Sequence, residues 1–150
     1  MHPSQWVWSQ DVVFPGVLSN GHAVIEAILA KLEEYQWPSK DAFAVHMALE
    51  EAIANAIEHG NKQDPEKNIR LLCFLALDRI LIEVEDEGKG FVPGKVPDPR
   101  DCDHISIPSG RGVLLIRSFM NSVSFNERGN RIIMERILCP SSNAEAATGT

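Results

Sequence analysis

Between Asn20 and Gly60 the apolar residues recur at helical spacing, and from Ile69 onward they recur at every second position. A chain with that change of period must lay helices against a sheet. In the first helical run Val24, Ile25, Ile28, Leu29 and Leu32 share one face, from about Asn20 to Gln36, until Trp37-Pro38 stops it. In the second, Ser39 is placed to cap the helix and Asp41 favours its dipole. Val45, Leu49, Ala52, Ile53 and Ala56 form its core stripe, and Gly60 ends it just before Asn61. After the polar link "NKQDPEKN", Ile69, Leu71, Cys73, Leu75 and Leu77 alternate with Arg70, Leu72, Phe74 and Ala76, and another strand follows Asp78-Arg79. "WVWSQDVVF" at the start reads as an edge strand ending at Pro15-Gly16, "GVLLIRSFM" as a short helix, and "SVSFNERGNRIIMERIL" as a hairpin turning at Gly129-Asn130. The expected class is α/β: a two-layer α+β sandwich with helices on one face of a mixed, mainly antiparallel sheet.

Pro93, Pro97, Pro99 and Pro108 make the stretch between Gly88 and Gly110 a loop, and one of that length in a compact domain is expected to be a lid or a binding loop. The tail from Pro140 is small and polar and is expected to be disordered, which leaves residues 1–139 as a single domain.

The formal net charge of −7 opposes a nucleic-acid surface, which needs clustered Lys and Arg, but not a small anionic ligand held by backbone N–H groups and one or two cations. Three widely spaced cysteines, Cys73, Cys102 and Cys139, form neither a disulfide framework nor a zinc knuckle. With no signal-peptide pattern and no apolar run near the ~18 residues of a membrane span, the expected location is the cytoplasm.

Three residue groups do not serve the fold. On the second helix Glu51, Asn55 and His59 follow one another at i,i+4, beside the core stripe. Two readings fit this row: a solvated flank with Asn55 a tolerated poor helix former, or a metal ligand and a base. A carboxamide oxygen suits Mg²⁺, which takes few protein ligands and relies on phosphates for the rest, and a glutamate one turn away can deprotonate an attacking hydroxyl. In "ILIEVEDEGKGF", Asp86 continues the apolar row Ile80, Ile82, Val84 as a carboxylate and therefore needs donors, such as the amino group of adenine. Gly88 and Gly90 behind it permit close approach of a ligand, although an ordinary acidic turn is the competing reading. In "SGRGVLLI", Gly110 and Gly112 flank Arg111 at a helix entry, which suits a phosphate or serves only to reverse the chain. "GFVPGK" lacks the P-loop spacing, "GKGFVPG" misses G-x-G-x-x-G, and "DCDH" has no second cluster with which to hold a metal.

Taken in order, "EEAIANAIEHGN", "DEGKGF" and "SGRGVLLI" resemble the N, G1 and G2 boxes of the GHKL ATPase superfamily, whose fold is the Bergerat fold. The spacing, the proline-rich lid and the leading strand and helix are similar to the stand-alone branch related to anti-sigma factor serine kinases, over roughly Phe14 to Leu138. The resemblance implies ATP and Mg²⁺ as cofactors, with Asn55 coordinating the metal and Glu51 as catalytic base. It implies Asp86 on the adenine amino group, Gly88 and Gly90 beside the base, and Gly110, Arg111 and Gly112 approaching the phosphates as the lid closes. His59, with Gly60, matches the His-Gly that often ends the N-box helix near the nucleotide. Two positions depart from the pattern. Pro108 stands where an Arg often precedes Ser-Gly, and Gly129-Asn130 stands where Gly-Thr is frequent.

The implied function is a serine/threonine protein kinase of a partner-switching system that binds a sigma factor or analogous target and phosphorylates a STAS-domain anti-anti-sigma protein, with a homodimer as one assembly open to it. A non-catalytic ATP-binding regulator is the alternative, distinguished by needing Asn55 and Asp86 but not Glu51, and an ATPase module of a larger complex is a second. A sensor histidine kinase is disfavoured, because His22 and His46 lack the dimerising helix a phosphoacceptor requires.

Overall fold

Alternation builds the sheet and the 3.6-residue period covers it. The computed structural model describes residues 5–88 and 111–138. In chain order these form β1 (Trp6–Pro15), α1 (Leu18–Glu34), α2 (Ser39–Asn55) continued by a π turn over Ala56–Gly60, β2 (Asn68–Ala76), β3 (Arg79–Asp86), α3 (Arg111–Phe119), β4 (Ser122–Phe125) and β5 (Arg131–Ile137). The sheet order is β1-β2-β3-β5-β4, so β1 is an edge strand as its position in the chain suggests. The expected sheet is mainly antiparallel, and every described pairing is antiparallel. The expected lid, with Gly90 and Gly110, and the tail from Pro140 lie outside the described residues.

One face of the sheet presents Ile69, Leu71, Leu75, Ile80 and Ile82 to the helices, all fully buried. From the other layer Ile28 and Leu32 of α1 and Val45 and Leu49 of α2 close the core, each 0% exposed. α1 and α2 approach closely because Gly21 has no side chain: a Cβ there would stand 2.9 Å from Cγ2 of Ile53. Trp37, which ends the first helical run, donates its indole N–H to the Ala76 carbonyl at 3.2 Å and so ties the helix corner to the end of β2. The outward face of the sheet alternates apolar side chains with ion pairs, Arg70 to Asp11, Arg131 to Glu83 and Arg79 to Glu135.

Three local expectations are corrected. Ser39 does not cap α2: Pro38 is the cap residue, and its carbonyl accepts the N–H groups of Asp41 and Ala42. Asp41 does lie in the first turn of α2, as expected, and also binds Arg136 of β5, at 2.9 Å from its Nε. Leu77 does not continue the buried row. β2 stops at Ala76 and Leu77 is 62% exposed, because the chain is already turning into β3. The last hairpin turns through residues 126–130, with Gly129 at φ 78° and the Asn126 side chain accepting the N–H groups of Gly129 and Arg131. The Asx bonds of Asn126 favour this longer loop over a two-residue turn.

Candidate functional site

The site forms where the C-terminal end of α2 meets the end of β3. Up to Asn55 the helix is regular, so Glu51 and Asn55 lie one turn apart on its flank, both half-buried. Beyond Asn55 the ladder widens: the Asn61 N–H bonds the Ala56 carbonyl five residues back, at 2.8 Å. π turns are uncommon and cluster at functional sites. His59, half-buried, stands within this π turn, one residue before Gly60. Among the described residues none of the three side chains has a hydrogen-bond partner, which leaves their polar atoms available to a ligand.

The widened turn delivers Gly60 against Asp86. A Cβ on Gly60 would lie 2.2 Å from both Cγ and Oδ2 of Asp86, and one on Gly88 would lie 2.0 Å from the Gly60 carbonyl oxygen. The three residues interlock only because two of them are glycines. Asp86 is the last residue of β3, paired with the fully buried Ile69, and its carboxylate continues the inward-facing row as the alternation requires. Its Oδ1 accepts the Gly88 N–H at 2.7 Å, while Oδ2 takes no hydrogen bond among the described residues. Burial lifts its carboxyl above the ordinary carboxylate range; the Gly88 bond works against this, Glu85 adds to it, and Arg128 and Lys67 oppose it. A half-buried carboxylate with one open oxygen is chemically suited to accept from an uncharged amino group.

Beside the turn lies an open cavity of about 330 Å³ lined by Val13, Asn68, Arg70, Glu85, Asp86, Glu87, Arg128 and Asn130. Val13, Arg70 and Glu85 belong to the outward face of the sheet, whereas the Asp86 carboxylate points at Gly60 on the helix side. The cavity and the site therefore share a turn but not a space.

No three His, Cys, Asp or Glu side chains converge on a metal site among the described residues. A Mg²⁺ ion here would depend on the Asn55 carboxamide and on phosphate oxygens, an arrangement common for this ion. Arg111 and Gly112 are the first two residues of α3 as described, and the first-turn backbone N–H groups of a helix have no acceptor within the helix itself. Gly88 is buried beside Asp86, while Gly90 and Gly110 lie outside the described residues.

Sequence reasoning missed Asn61, which is fully buried. Its Oδ1 accepts the Glu87 N–H at 2.8 Å and its Nδ2 donates to the Asn68 carbonyl at 3.1 Å. An Asn after a helix-ending Gly gives no local sign of burial. Asn130, 6% exposed, was visible only as a departure from Gly-Thr; its Nδ2 donates to the Asp86 carbonyl at 2.9 Å. Arg128 donates to the Gly88 carbonyl at 3.1 Å.

The family profile of the histidine kinase-like ATPase domain matches residues 15–136. The chain is 32% identical over 104 residues to the anti-sigma F factor of Oceanobacillus iheyensis, covering 65% of this chain and 70% of that one. It is 33% identical over 97 residues to the serine-protein kinase RsbW of Staphylococcus epidermidis, covering 59% of this chain and 60% of that one. A crystal structure of the RsbU and RsbW domains of Rv1364c from Mycobacterium tuberculosis shares the fold, with a TM-score of 0.58 at 16% identity over 88% of this chain and 32% of that longer one. No helix among the described residues is long and apolar enough to cross a membrane. With the profile spanning most of the chain and the relatives pointing the same way, the chain belongs to the histidine kinase-like (GHKL) ATPase domain family, in the branch of anti-sigma factors and RsbW-type serine kinases.

Proposed function

We propose that this protein is an ATP-dependent serine/threonine kinase of a partner-switching system, which binds a sigma factor or analogous target and phosphorylates a STAS-type antagonist protein in the cytoplasm. The observation that carries the reading is the interlock of Gly60, Asp86 and Gly88, which leaves one oxygen of Asp86 open at the end of the helix that bears Glu51 and Asn55. The names of the relatives, anti-sigma F factor and serine-protein kinase, supply the partner class and the acceptor chemistry.

In this reading Asp86 selects the base by accepting from its amino group, and Gly88 lets the base lie close to the backbone. The Asn55 oxygen would hold Mg²⁺, which would neutralise charge on the phosphate oxygens. Glu51 accepts the proton of a serine or threonine hydroxyl on the partner as that oxygen bonds to the γ-phosphorus and the bond from the γ-phosphorus to the bridging oxygen breaks, with ADP leaving. The backbone N–H groups at the start of α3 meet the phosphates.

The test is incubation of the purified protein with labelled ATP and candidate STAS-domain proteins. Transfer to a serine or threonine, lost in Glu51→Gln while Mg-ATP binding persists, supports the kinase, because the amide keeps the shape of Glu51 and removes its basicity. Asn55→Ala should weaken Mg-dependent binding as well. Nucleotide-dependent partner binding with no transfer from the wild type would replace the kinase with a non-catalytic regulator.

A further inference from the structure

Asn61 and Asn130 are the buried polar side chains among the described residues, at 0% and 6% exposure, and both are spent on the same few atoms. Burying a carboxamide is unfavourable unless its donors and acceptor are paired. Asn61 pairs its oxygen with the Glu87 N–H and its amide with the Asn68 carbonyl. Room for that amide is left by Gly16, where a Cβ would stand 2.9 Å from Nδ2. From the opposite side, Asn130 donates its side-chain amide to the Asp86 carbonyl, while its own carbonyl accepts the Asp86 N–H, each at 2.9 Å. The Asn130 oxygen is held in turn by Nδ2 of Asn126 at 2.8 Å.

We propose that Asn61 and Asn130 are positioning residues for base selectivity: the two buried carboxamides clamp the Asp86–Gly88 turn from its helix side and its β5 side, and so fix where the open oxygen of Asp86 stands. The inference rests on the nucleotide reading above and deepens it. Asp86 is a strand-terminal residue, and an unsupported strand end can rotate its last peptide planes. Here the Asp86 N–H and carbonyl and the Glu87 N–H are all bonded, and the Gly88 N–H consumes Oδ1. What remains free is Oδ2, against Gly60. Discrimination by a hydrogen bond depends on holding the acceptor at a set place and orientation, since a mobile acceptor gives little penalty when its donor is missing. The clamp therefore contributes to choosing a base with an exocyclic amino group over one without it, and only weakly to holding phosphates.

The experiment is calorimetric titration of the full chain with Mg-ATP and with Mg-purine riboside triphosphate, which lacks the 6-amino group, for wild type, Asp86→Ala, Asn61→Ala and Asn130→Ala. The wild type should prefer ATP, and Asp86→Ala should lose that preference. Each carboxamide variant should lower the preference by about tenfold or more, while affinity for the amine-free analogue changes by less than about threefold. A residue that only supported the fold would weaken both nucleotides equally and leave the ratio unchanged, so an Asn61→Ala protein with the wild-type ratio overturns the proposal. Asn130→Ala keeps that residue's backbone bond to Asp86 and loses its side-chain bonds to Asp86 and Asn126; it decides the matter if Asn61→Ala does not fold. A wild type that binds both nucleotides alike would instead remove the base assignment of Asp86, and the clamp with it.

Discussion

Replacing Gly60 by Ala should reverse the sign that helix propensity predicts. Gly60 is not among the residues with positive φ, so alanine is allowed there, and in a helical turn the exchange would ordinarily stabilise by about 0.5–1 kcal/mol. The new Cβ, however, would stand 2.2 Å from Cγ and Oδ2 of Asp86, where ordinary contacts begin at 3.4 Å, so the π turn and the strand end must separate by about 1.2 Å. Overpacking of this kind costs about 1–3 kcal/mol, and the net loss of about 1–2 kcal/mol should lower Tm by about 2–8 °C in a domain of this size. The same displacement moves the open oxygen of Asp86, so Mg-ATP affinity should fall by about 10- to 100-fold. Thermal melts and calorimetry measure both. The decisive control is the Asp86→Ala background, in which the obstructing carboxylate is gone. There Gly60→Ala should no longer destabilise and should return a gain of about 0.5 kcal/mol. An equal loss of stability in both backgrounds, or wild-type nucleotide affinity in Gly60→Ala, would refute the packing argument.

The raised pKa of Asp86 has a definite pH signature. The folded protein binds this proton more tightly than the unfolded chain does, so the contribution to stability is fully present below the ordinary value of 3.8 and is lost as pH rises through the higher folded-state value. Asp86→Asn should not show that loss, and denaturant unfolding across this range with the same pH slope in both proteins would count against it. Cys73 is fully buried and burial pushes its thiol up to about 12, so alkylation of the folded protein at pH 8 should leave it unmodified by mass spectrometry; labelling of Cys73 as fast as in denaturant would contradict its position in the core. The Arg70 guanidinium holds the Asp11 carboxyl below the usual range, yet both groups are open to water, so Arg70→Ala should leave Tm nearly unchanged, and a large drop would show that this outward pair matters more than screening allows.

The sequence by itself determined the two layers, because periods of 3.6 and 2 are properties of neighbouring residues and survive any tertiary arrangement. Val45, Leu49 and Ile53 on one side, and Ile69, Leu71 and Ile82 on the other, are the core that their spacing predicts. It also singled out Asp86, since a carboxylate in phase with a buried row is a local contradiction that needs a partner. What only the tertiary structure decided is how distant segments meet. The π turn over Ala56–Gly60 arises in a run whose composition reads as ordinary helix. Ser39 lost the cap to Pro38, whose carbonyl accepts the N–H groups of Asp41 and Ala42. Asn61 and Asn130 lie far apart in sequence and converge on one turn of β3, through hydrogen bonds whose partners are backbone atoms. Such bonds leave no trace in side-chain pattern, since every residue offers the same N–H and carbonyl and only the fold selects which of them a buried amide will reach.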